Sequence, residues 1–483
     1  MICDPSLKAD LDRAFDPKAV AIVGVSRDDA NPPPGYTGLK ILRLLRDAGF
    51  QGRLYPVNPR ATAIEGLPAY PSVRALPEPP DLVIVTIPAQ AVPPVIEDCL
   101  AAGAVNVHVC SAGFTETGQP EGRAAEERLR EAASHARLRI VGPNCLGYHV
   151  PAARMNMYQE APLLDGPVAF LSQSGGHAQD YVGYGPRLGI GFSKVVSYGN
   201  ALFMDATDFL EYLADDPRTQ VVCLYIEGTR DGPRLRRLVR ETGRSKPVIV
   251  WKGGLTSQGA RAAATHTSSL AGNARVWDAF FKQTGAVPVG SIEEMADTAM
   301  TFLRLKPLAL ARAAVIVGGG GSNVANGDIC AQEGIEVPPL GPETRATLLE
   351  LLSLVNQSVV NPIDSPAIPY KAGLLRQVLE ALTGDPSVDL VIMHMTPFFP
   401  RRATPEALAA FKACITDFGR RVPEKPVVVA IRGSDRMGAD AEAMVHDMRA
   451  AGITTYSSIR AACRALKRFA DYHRLRQDWG RAG

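Results

Sequence analysis

Short apolar runs recur along the chain and alternate with segments long enough to form helices. The first third contains "AVAIVGV", "DLVIVTIP", "VNVHVCSA" and "LRIVGPN", and a second group includes "VAFLSQ", "VVCLYIEG" and "PVIVWKGG". A third group begins near Ala313 with "AAVIVGGGG" and continues with "DLVIMHMT" and "PVVVAIRG". Such runs, separated by helices, are typical of parallel strands covered on both faces. The pattern predicts an α/β fold of three tandem open parallel sheets, with boundaries near residues 155 and 308.

Composition and charge narrow the class of protein. The 483 residues leave room for about three domains, and the net charge of +2 gives no broad basic surface for nucleic acid. The eight cysteines form no CxxC pair, so neither a zinc knuckle nor a disulfide framework is indicated. The charged start "MICDPSLKADLDRAF" does not resemble a signal peptide, and no apolar run is long enough for a membrane helix. We therefore expect a cytoplasmic protein that does not bind membranes.

The turn after the first strand suits an anion better than a dinucleotide. In "AIVGVSRDDANPPPGYTGLK", Gly24 and Ser26 follow the strand, GxGxxG is missing, and "PPPG" delays the helix to about Tyr36. The second strand ends in "VNPR", where Arg60 replaces the acidic residue that would bind the ribose of NAD. These features favour a phosphate-bearing nucleotide, and a tight turn without a ligand is the alternative.

Two further turns are rich in glycine. In "FLSQSGGHAQDY", a strand runs into Ser174 and Gly175 before a helix, and exposed N–H groups with hydroxyls form a cradle for a small anion. The stretch does not match GxSxG, which disfavours a serine hydrolase. The turn "VGGGGSNVANGD" fits a ligand site and a simple strand-to-helix turn equally well.

One histidine lies among residues too small to bury it. His266 is part of "GARAAATHTSSLAG", in which Thr and Ser precede a helix expected to begin near Leu270. A helix N-terminus disfavours imidazolium and favours a phosphoryl group on the ring. Glu227, at the end of "VVCLYIEG", is a candidate for holding the other ring nitrogen, and a capping or ion-pairing role is its alternative. A structural role is the alternative for His266, and the spacing of neighbouring residues gives no metal site.

These motifs together resemble the α part of the NDP-forming acyl-CoA synthetases, which are relatives of succinyl-CoA synthetase. The resemblance spans about residues 14 to 470, through "AVAIVGVS", "YPVNPR" and "GPNCLG", then "SQSGG", "GFSKVVSYGN" and "HTSSLAG", then "GGGGSNVANGD" and "NPID". It implies a Rossmann-like CoA-binding domain at 1–155, a ligase domain with the phosphorylated histidine at 156–308, and a second flavodoxin-like ligase domain at 309–483.

The resemblance also implies roles for residues. His266 matches the histidine that is phosphorylated, Glu227 matches the glutamate that orients it, and the phosphate is expected to meet Ser174, Gly175 and Ser269. The positions that match the CoA site are Gly24, Ser26, Arg60, Pro88 and Asn144.

The chain departs from the family pattern in three ways. The family usually has "SHTGSLAG", whereas Thr265 and Ser268 stand here, and Ser268 lacks the conformational freedom of glycine. His177 follows "SQSGG", where a contact with an unusual acyl group and a solvent-facing position are equally consistent. No ATP-grasp region is found, so a separate β subunit is expected to bind ATP or ADP with Mg²⁺, in an α/β hetero-oligomer.

The resulting hypothesis is an acid–thiol ligase subunit that makes acyl-CoA from a carboxylic acid, CoA and ATP. The alternatives are a CoA-binding regulatory protein with impaired catalysis, suggested by the substitutions around His266, and an NAD-dependent oxidoreductase, suggested by the first domain alone.

Overall fold

The computed structural model describes residues 2–26, 37–134, 137–261, 273–308, 310–352, 358–395, 403–431 and 438–482. The chain divides into two compact units. The first comprises Met1–Pro186 and Ile190–Ile292, and the second comprises Arg187–Gly189 and Glu293–Gly483.

The first sheet has the strand order β2-β1-β5-β6-β7, and all of its strand pairs are parallel. The strands of this part of the chain are β1 (Ala19–Val23), β2 (Arg53–Val57), β3 (Ala63–Ile64), β4 (Leu67–Pro68), β5 (Leu82–Val85), β6 (Asn106–Val109) and β7 (Arg139–Val141). Its α-helices are α1 (Pro5–Phe15), α2 (Gly38–Asp47), α3 (Val92–Ala101) and α4 (Pro120–Ala133). The short strands β3 and β4 form a separate hairpin.

The second sheet also belongs to the first unit and has the order β14-β13-β12-β10-β11-β8-β9. Its strands are β8 (Gly147–Val150), β9 (Met155–Asn156), β10 (Asp165–Ser172), β11 (Phe192–Ser197), β12 (Val221–Ile226), β13 (Val248–Lys252) and β14 (Val287–Val289). The α-helices are α5 (Gly175–Tyr184), α6 (Ala206–Asp215), α7 (Gly232–Thr242) and α8 (Ala274–Thr284). Strands β8 and β9 join as an antiparallel edge. The second sheet thus takes up residues that precede the boundary expected near 155.

The third sheet lies in the second unit and has the order β16-β15-β17-β18-β19. Its strands are β15 (Ala313–Val317), β16 (Ile363–Asp364), β17 (Leu390–Met395), β18 (Val427–Ile431) and β19 (Thr455–Tyr456). The α-helices are α9 (Ile292–Arg304), α10 (Gly320–Gln332), α11 (Pro342–Leu351), α12 (Ala372–Gly384), α13 (Pro405–Arg421), α14 (Gly438–Ala450) and α15 (Ile459–Ala482). The division between the two compact units falls at the start of α9, between Ile292 and Glu293. The domain boundary expected near 308 stays a prediction.

The central strands are buried on both faces, which explains their continuous apolar sequences. Strands β1, β5, β12 and β15 are buried at every position, since helices cover both sides of each sheet. The predicted α/β class with open, mostly parallel sheets is therefore confirmed. Among the described residues, no helix combines the length and the apolar character needed to cross a membrane.

In each sheet the strand order reverses beside the first strand of its parallel part. The reversal lies between β1 and β5, between β10 and β12, and between β15 and β17. Such a switch point opens a crevice at the carboxyl ends of the strands, because the flanking connections lead to opposite faces of the sheet. The fold thus offers a ligand crevice in each sheet.

A buried ion pair ties β11 to the chain after α6. Lys194 Nζ lies 2.7 Å from Asp216 Oδ2, and the two side chains are 6% and 5% exposed. Burial alone would raise the pKa of Asp216, but hydrogen bonds from Lys194 and Thr219 outweigh it and hold that pKa below its usual value.

We expect Lys194→Ala to lower the free energy of unfolding of the first unit by about 3–5 kcal/mol, because it leaves a buried carboxylate without its cation. Urea unfolding would measure the loss. Arg218→Ala is the control, since its ion pair with Asp165 is half exposed on both sides and should contribute below about 1 kcal/mol. The ion pair should stabilise the protein fully at pH values above the ordinary pKa of an aspartate. This stabilisation should be lost as the pH falls through the lowered pKa of Asp216. Equal effects of the two variants would contradict this assignment.

Candidate active site

The candidate site lies at the switch point of the second sheet. Strands β10 and β12 are parallel neighbours, with Ser172 paired to Tyr225 at their carboxyl ends. The chain leaves β10 through Gln173 and Ser174 into α5, and it leaves β12 through Glu227 toward α7. Two segments that are far apart in sequence are therefore brought together at one edge of the sheet.

Gln173 bridges these two strand ends. Its side-chain Oε1 accepts hydrogen bonds from the backbone N–H of Glu227, at 2.5 Å, and of Gly228, at 3.0 Å. The Gln173 N–H donates in turn to the carbonyl of Tyr225 at 3.2 Å. These bonds fix the backbone from which the Glu227 side chain projects.

The N-terminus of α5 is capped by Ser174. Ser174 Oγ accepts the N–H of His177 at 3.3 Å, and the Ser172 hydroxyl donates to the Ser174 carbonyl at 2.7 Å. The amides of Gly175 and Gly176 belong to the first helical turn, where no carbonyl of the helix can accept from them. The helix start thus offers N–H groups and a positive dipole end to an anion.

Glu227 is held by three neighbours. Tyr225 Oη donates to Glu227 Oε1 at 3.0 Å, and burial together with the Glu227 carboxylate raises the pKa of Tyr225. Lys252 Nζ donates to the Glu227 carbonyl at 2.8 Å. A Cβ at Gly253 would lie 2.6 Å from Tyr225 Oη and 3.4 Å from Glu227 Cγ, so a glycine is needed there. Glu227 is only 7% exposed, yet its carboxylate has a donor.

Lys252 is the last residue of β13, and its side chain contacts the turn that carries Glu227. It is buried, and burial lowers its pKa. Its Nζ also donates to the Gly253 carbonyl and lies 5.2 Å from the centroid of the Trp277 ring. Two carbonyls and an aromatic face thus compensate the desolvation of this buried cation. Its hydrogen bonds hold the backbone of the turn that contains Glu227 and that of Gly253.

His177 packs in an aromatic cluster. Its ring centroid lies 4.6 Å from that of Tyr225 and 4.5 Å from that of Trp251. Burial lowers the pKa of His177, which favours the neutral ring. The side chain is half-buried between these rings, and both positions considered from the sequence stay predictions. His177 thus packs edge-on against the ring of Tyr225.

His266 and Ser269 fall in residues 262–272 and lie outside the described residues. The flanking segments are described on both sides. Gly259 comes close to Gly254, just beyond β13, and α8 begins at Ala274 with Asn273 as its cap, Asn273 Oδ1 accepting the N–H of Arg275. The helix start predicted near Leu270, with its Ser or Thr cap, lies outside the described residues.

A cavity of about 450 Å³ is lined both by residues of α8 and by Glu227. Its polar lining includes Glu227 and Lys252, and its apolar lining includes Leu235, Trp277 and Phe280. The segment that leads away from residue 272 therefore borders the same cavity as the candidate carboxylate.

The residues expected to meet CoA lie at the corresponding edge of the first sheet. Gly24 and Ser26 follow β1, Arg60 follows β2, Pro88 follows β5 and Asn144 follows β7. Gly24 has a φ of +94°, and a Cβ there would lie 2.8 Å from Ile87, so the turn requires glycine. Ser26, Arg60 and Pro88 are exposed, and Asn144 is partly exposed.

The loops of the two sheets interlock beside this edge. Asn144 has a φ of +57°, and its Nδ2 donates to Asn200 Oδ1 at 3.2 Å. A Cβ at Gly199 would lie 2.3 Å from the carbonyl oxygens of both Asn144 and Pro143. Leu146, two residues after Asn144, packs so closely on Gly175 that a Cβ there would lie 2.6 Å from its Cγ. The loop after β7 therefore links the expected CoA edge to the start of α5.

The glycine-rich turn of the second unit leads directly into α10. Gly319 N–H donates to Asp364 Oδ1 at 2.6 Å, and a Cβ at Gly320 would lie 3.7 Å from Asp364 Oδ2. A carboxylate thus already lies at this helix start. Within the described ranges, no group of three or more His, Cys, Asp or Glu side chains is placed to hold a metal ion.

Two parts of the chain match known protein families. Residues 18–151 match a CoA binding domain model, and residues 165–302 match a succinyl-CoA ligase like flavodoxin domain model. Acetate–CoA ligase [ADP-forming] I subunit alpha of Pyrococcus furiosus is 32% identical over 467 residues, which cover 94% of this chain and 96% of that protein. The chain belongs to the ADP-forming acyl-CoA ligase family.

Other relatives extend this assignment. Acetate–CoA ligase [ADP-forming] I of Archaeoglobus fulgidus is 38% identical over 388 residues, which are 80% of this chain and 55% of that protein. The chain thus spans about half the length of this curated relative. The dinucleotide forming acetyl-coenzyme A synthetase 1 of Ca. Korarchaeum cryptofilum, in complex with phosphate and ADP, superposes with a TM-score of 0.82, at 31% identity and 98% coverage of both chains. The predicted ADP-forming acyl-CoA synthetase resemblance is confirmed.

Several residues of this candidate site were not found from the sequence. Gln173, Tyr225 and Lys252 act through contacts between strands that are adjacent in space but not in sequence. The only sequence signal was their position next to the predicted motifs, since Gln173 is the central residue of "SQS" and Tyr225 lies two residues before Glu227.

We expect Gly199→Ala to destabilise the ligase by about 1–3 kcal/mol more than Gly66→Ala. Both glycines have positive φ, but a Cβ at Gly66 meets no atom within 4 Å, whereas one at Gly199 clashes with two carbonyls. The Gly66→Ala control therefore has the strain of a side chain at positive φ, but its added Cβ clashes with no neighbouring atom. Urea unfolding measures the difference, and equal losses would show that the interlocked loops do not depend on Gly199.

Proposed function

We propose that this chain is the α subunit of an ADP-forming acyl-CoA ligase. It makes acyl-CoA reversibly from a carboxylic acid, CoA and ATP, through an acyl phosphate and a phosphohistidine at His266. The observation that carries the proposal is the adjacency of the α5 start at Ser174 and the Glu227 carboxylate, bridged by Gln173. The names of the relatives as ADP-forming ligases support it over a CoA-binding regulator or an NAD-dependent oxidoreductase.

The reaction divides into displacements that share one phosphoryl group. In the direction of thioester cleavage, a phosphate oxygen attacks the acyl carbonyl, the carbon–sulfur bond breaks and CoA leaves as its thiol. A ring nitrogen of His266 then attacks the phosphorus, and the phosphorus–oxygen bond to the acyl group breaks to release the carboxylate. Transfer of the phosphoryl group to ADP forms ATP, and synthesis is the reverse.

Each residue of the site has a role in these steps. Glu227 accepts the N–H of the other ring nitrogen of His266, which keeps the attacking nitrogen unprotonated. The first-turn amides of α5, capped by Ser174 and including Gly175, stabilise the oxygens of the transferring phosphoryl group, and Ser269 contributes from the histidine segment.

CoA fits the exposed edge of the first sheet. Gly24 and Ser26 allow close approach at the switch point, and the exposed Arg60 suits a phosphate of the nucleotide part. Pro88 and Asn144 border the path toward the second sheet, where Leu146 contacts the α5 start. This route brings the thiol end of CoA toward the acyl phosphate.

An ATP-grasp β subunit completes the enzyme. The chain aligns with nearly the whole of a protein named subunit alpha and with about half of a longer ligase, which supports a separate second subunit. That subunit would bind the nucleotide with Mg²⁺, in a cytoplasmic α/β hetero-oligomer.

Incubation of the chain with acetyl-CoA and ³²P-labelled phosphate tests the proposal. We expect acid-labile, base-stable label on the protein, which is lost in His266→Ala and kept in His446→Ala, a variant of an exposed histidine of the second unit. Label that persists in His266→Ala would contradict the assignment of the carrier. Calorimetric CoA binding without any labelling, even with a β subunit, would favour the regulatory alternative.

Tyr225→Phe tests how Glu227 is positioned. The variant removes the hydroxyl that donates to Glu227, and a hydrogen bond to a charged group contributes about 1.5–3 kcal/mol. We therefore expect phosphohistidine formation to slow about 10-fold or more, with little change in the concentration of acetyl-CoA that half-saturates the reaction. Tyr181→Phe is the control, because that buried hydroxyl faces Cys223 Sγ at 3.6 Å. Equal rates for Tyr225→Phe and the wild type would exclude a positioning role.

A further inference from the structure

A second groove, of about 1000 Å³, runs along α7. Among the described residues that line it are five arginines and two acidic residues. The whole chain carries a net charge of only +2, so this surface is a local concentration of positive charge. We name it the arginine groove and define it by Arg236, Arg237, Arg240, Arg244 and Gln283.

The acidic residues of the groove are already engaged. Asp231 caps α7 by accepting the N–H of Arg234 at 2.8 Å, and Glu241 pairs with Arg237 at 3.1 Å. Arg234 is itself bound to Asp208 and Glu211 below the groove. The positive charge of the remaining arginines is thus not cancelled locally.

Three of the arginines contribute most of this charge. Arg236 and Arg240 are four residues apart in α7, which places them about 6 Å apart on one face of the helix, and Arg244 lies in the turn just beyond the helix end at Thr242. All three are exposed. Arg236 donates to the neutral amide of Gln283, and the side chains of Arg240 and Arg244 have no hydrogen-bond or ion-pair partner within the described ranges. Like charges on neighbouring positions repel each other, so folding alone gives no reason for this concentration of arginines.

The chemistry of the groove favours an acidic protein surface over a nucleotide. No aromatic ring lines it among the described residues, so it offers no stacking surface for a base. Guanidinium groups match the geometry of carboxylates, and arginine is enriched at protein interfaces.

The position of the groove indicates which partner. It shares Pro233, Arg236 and Gln283 with the cavity that Glu227 lines, so a protein seated on the arginine groove would lie next to the candidate phosphorylation site. We propose that the arginine groove docks an acidic surface of the ATP-grasp subunit. This inference rests on the proposed function, which requires a nucleotide-binding partner to reach this side of the sheet.

The test uses the ATP-grasp protein that completes ATP-dependent acyl-CoA synthesis with this chain. Arg240→Glu/Arg244→Glu should lower its association rate constant at least about 10-fold at about 50 mM NaCl, and the deficit should shrink to about twofold at about 500 mM NaCl. Arg123→Glu/Arg128→Glu is the matched control, since it reverses two exposed arginines of α4 and should leave association unchanged. Arg240→Gln/Arg244→Gln should fall between the wild type and the charge reversal.

Phosphohistidine formation from acetyl-CoA and phosphate by this chain alone separates the two hypotheses. We expect it to be unchanged in the Arg240/Arg244 variants, which also shows that they fold. If the wild type forms no phosphohistidine, the proposed function fails. If it does, and association is unaffected by the charge reversal or equally impaired in the α4 control, the docking inference is overturned. Loss of inorganic triphosphate or ADP binding with unchanged association would also overturn it in favour of a nucleotide site.

Discussion

The candidate site depends on the hydrogen bonds that Gln173 makes across the switch point of the second sheet. One side-chain oxygen accepts from the amides of Glu227 and Gly228, so the ends of β10 and β12 hold a fixed separation. The α5 start is built on one of these strand ends and the buried carboxylate on the other. Without this bridge, the start of α5 and Glu227 would be connected only through the pairing of β10 with β12, which ends at Ser172 and Tyr225. Tyr225 and Lys252 then restrain the Glu227 side chain and its carbonyl, respectively.

The first sheet is coupled to this site through backbone contacts that tolerate no side chain. The carbonyls of Pro143 and Asn144 pack directly against Gly199, and Leu146 packs directly against Gly175. The expected CoA edge and the proposed phosphate site at the start of α5 therefore share one loop, which is a direct way to bring a thioester and a phosphoryl acceptor together. Productive geometry for such displacements requires the reacting atoms to be about 3–3.5 Å apart, so a rigid junction between the two sheets serves the proposed chemistry.

Much of this architecture could be predicted because the signals are local. Continuous apolar runs identify the buried strands, and Ser174 and Glu227 stand out because each follows such a run. The roles of Gln173 and Gly199 could not be predicted, since they depend on which strands become neighbours. His177 was ambiguous for the same reason, because Trp251 reaches it from β13. The closeness of Arg236 and Arg240 is visible in the sequence, but only the structure shows that Asp231 caps α7 and that Glu241 pairs with Arg237. The roles of His266 and Ser269 remain predictions.

The central claim is that phosphate passes through an acyl phosphate to His266. Oxygen transfer tests it most directly, in the enzyme assembled with its ATP-grasp subunit and supplied with acetyl-CoA and ¹⁸O-labelled phosphate without nucleotide. The account predicts that each phosphohistidine formed is accompanied by one acetate that carries a single ¹⁸O atom, since the attacking phosphate oxygen stays with the acyl group. Acetate without ¹⁸O, formed alongside the phosphohistidine, would contradict the account.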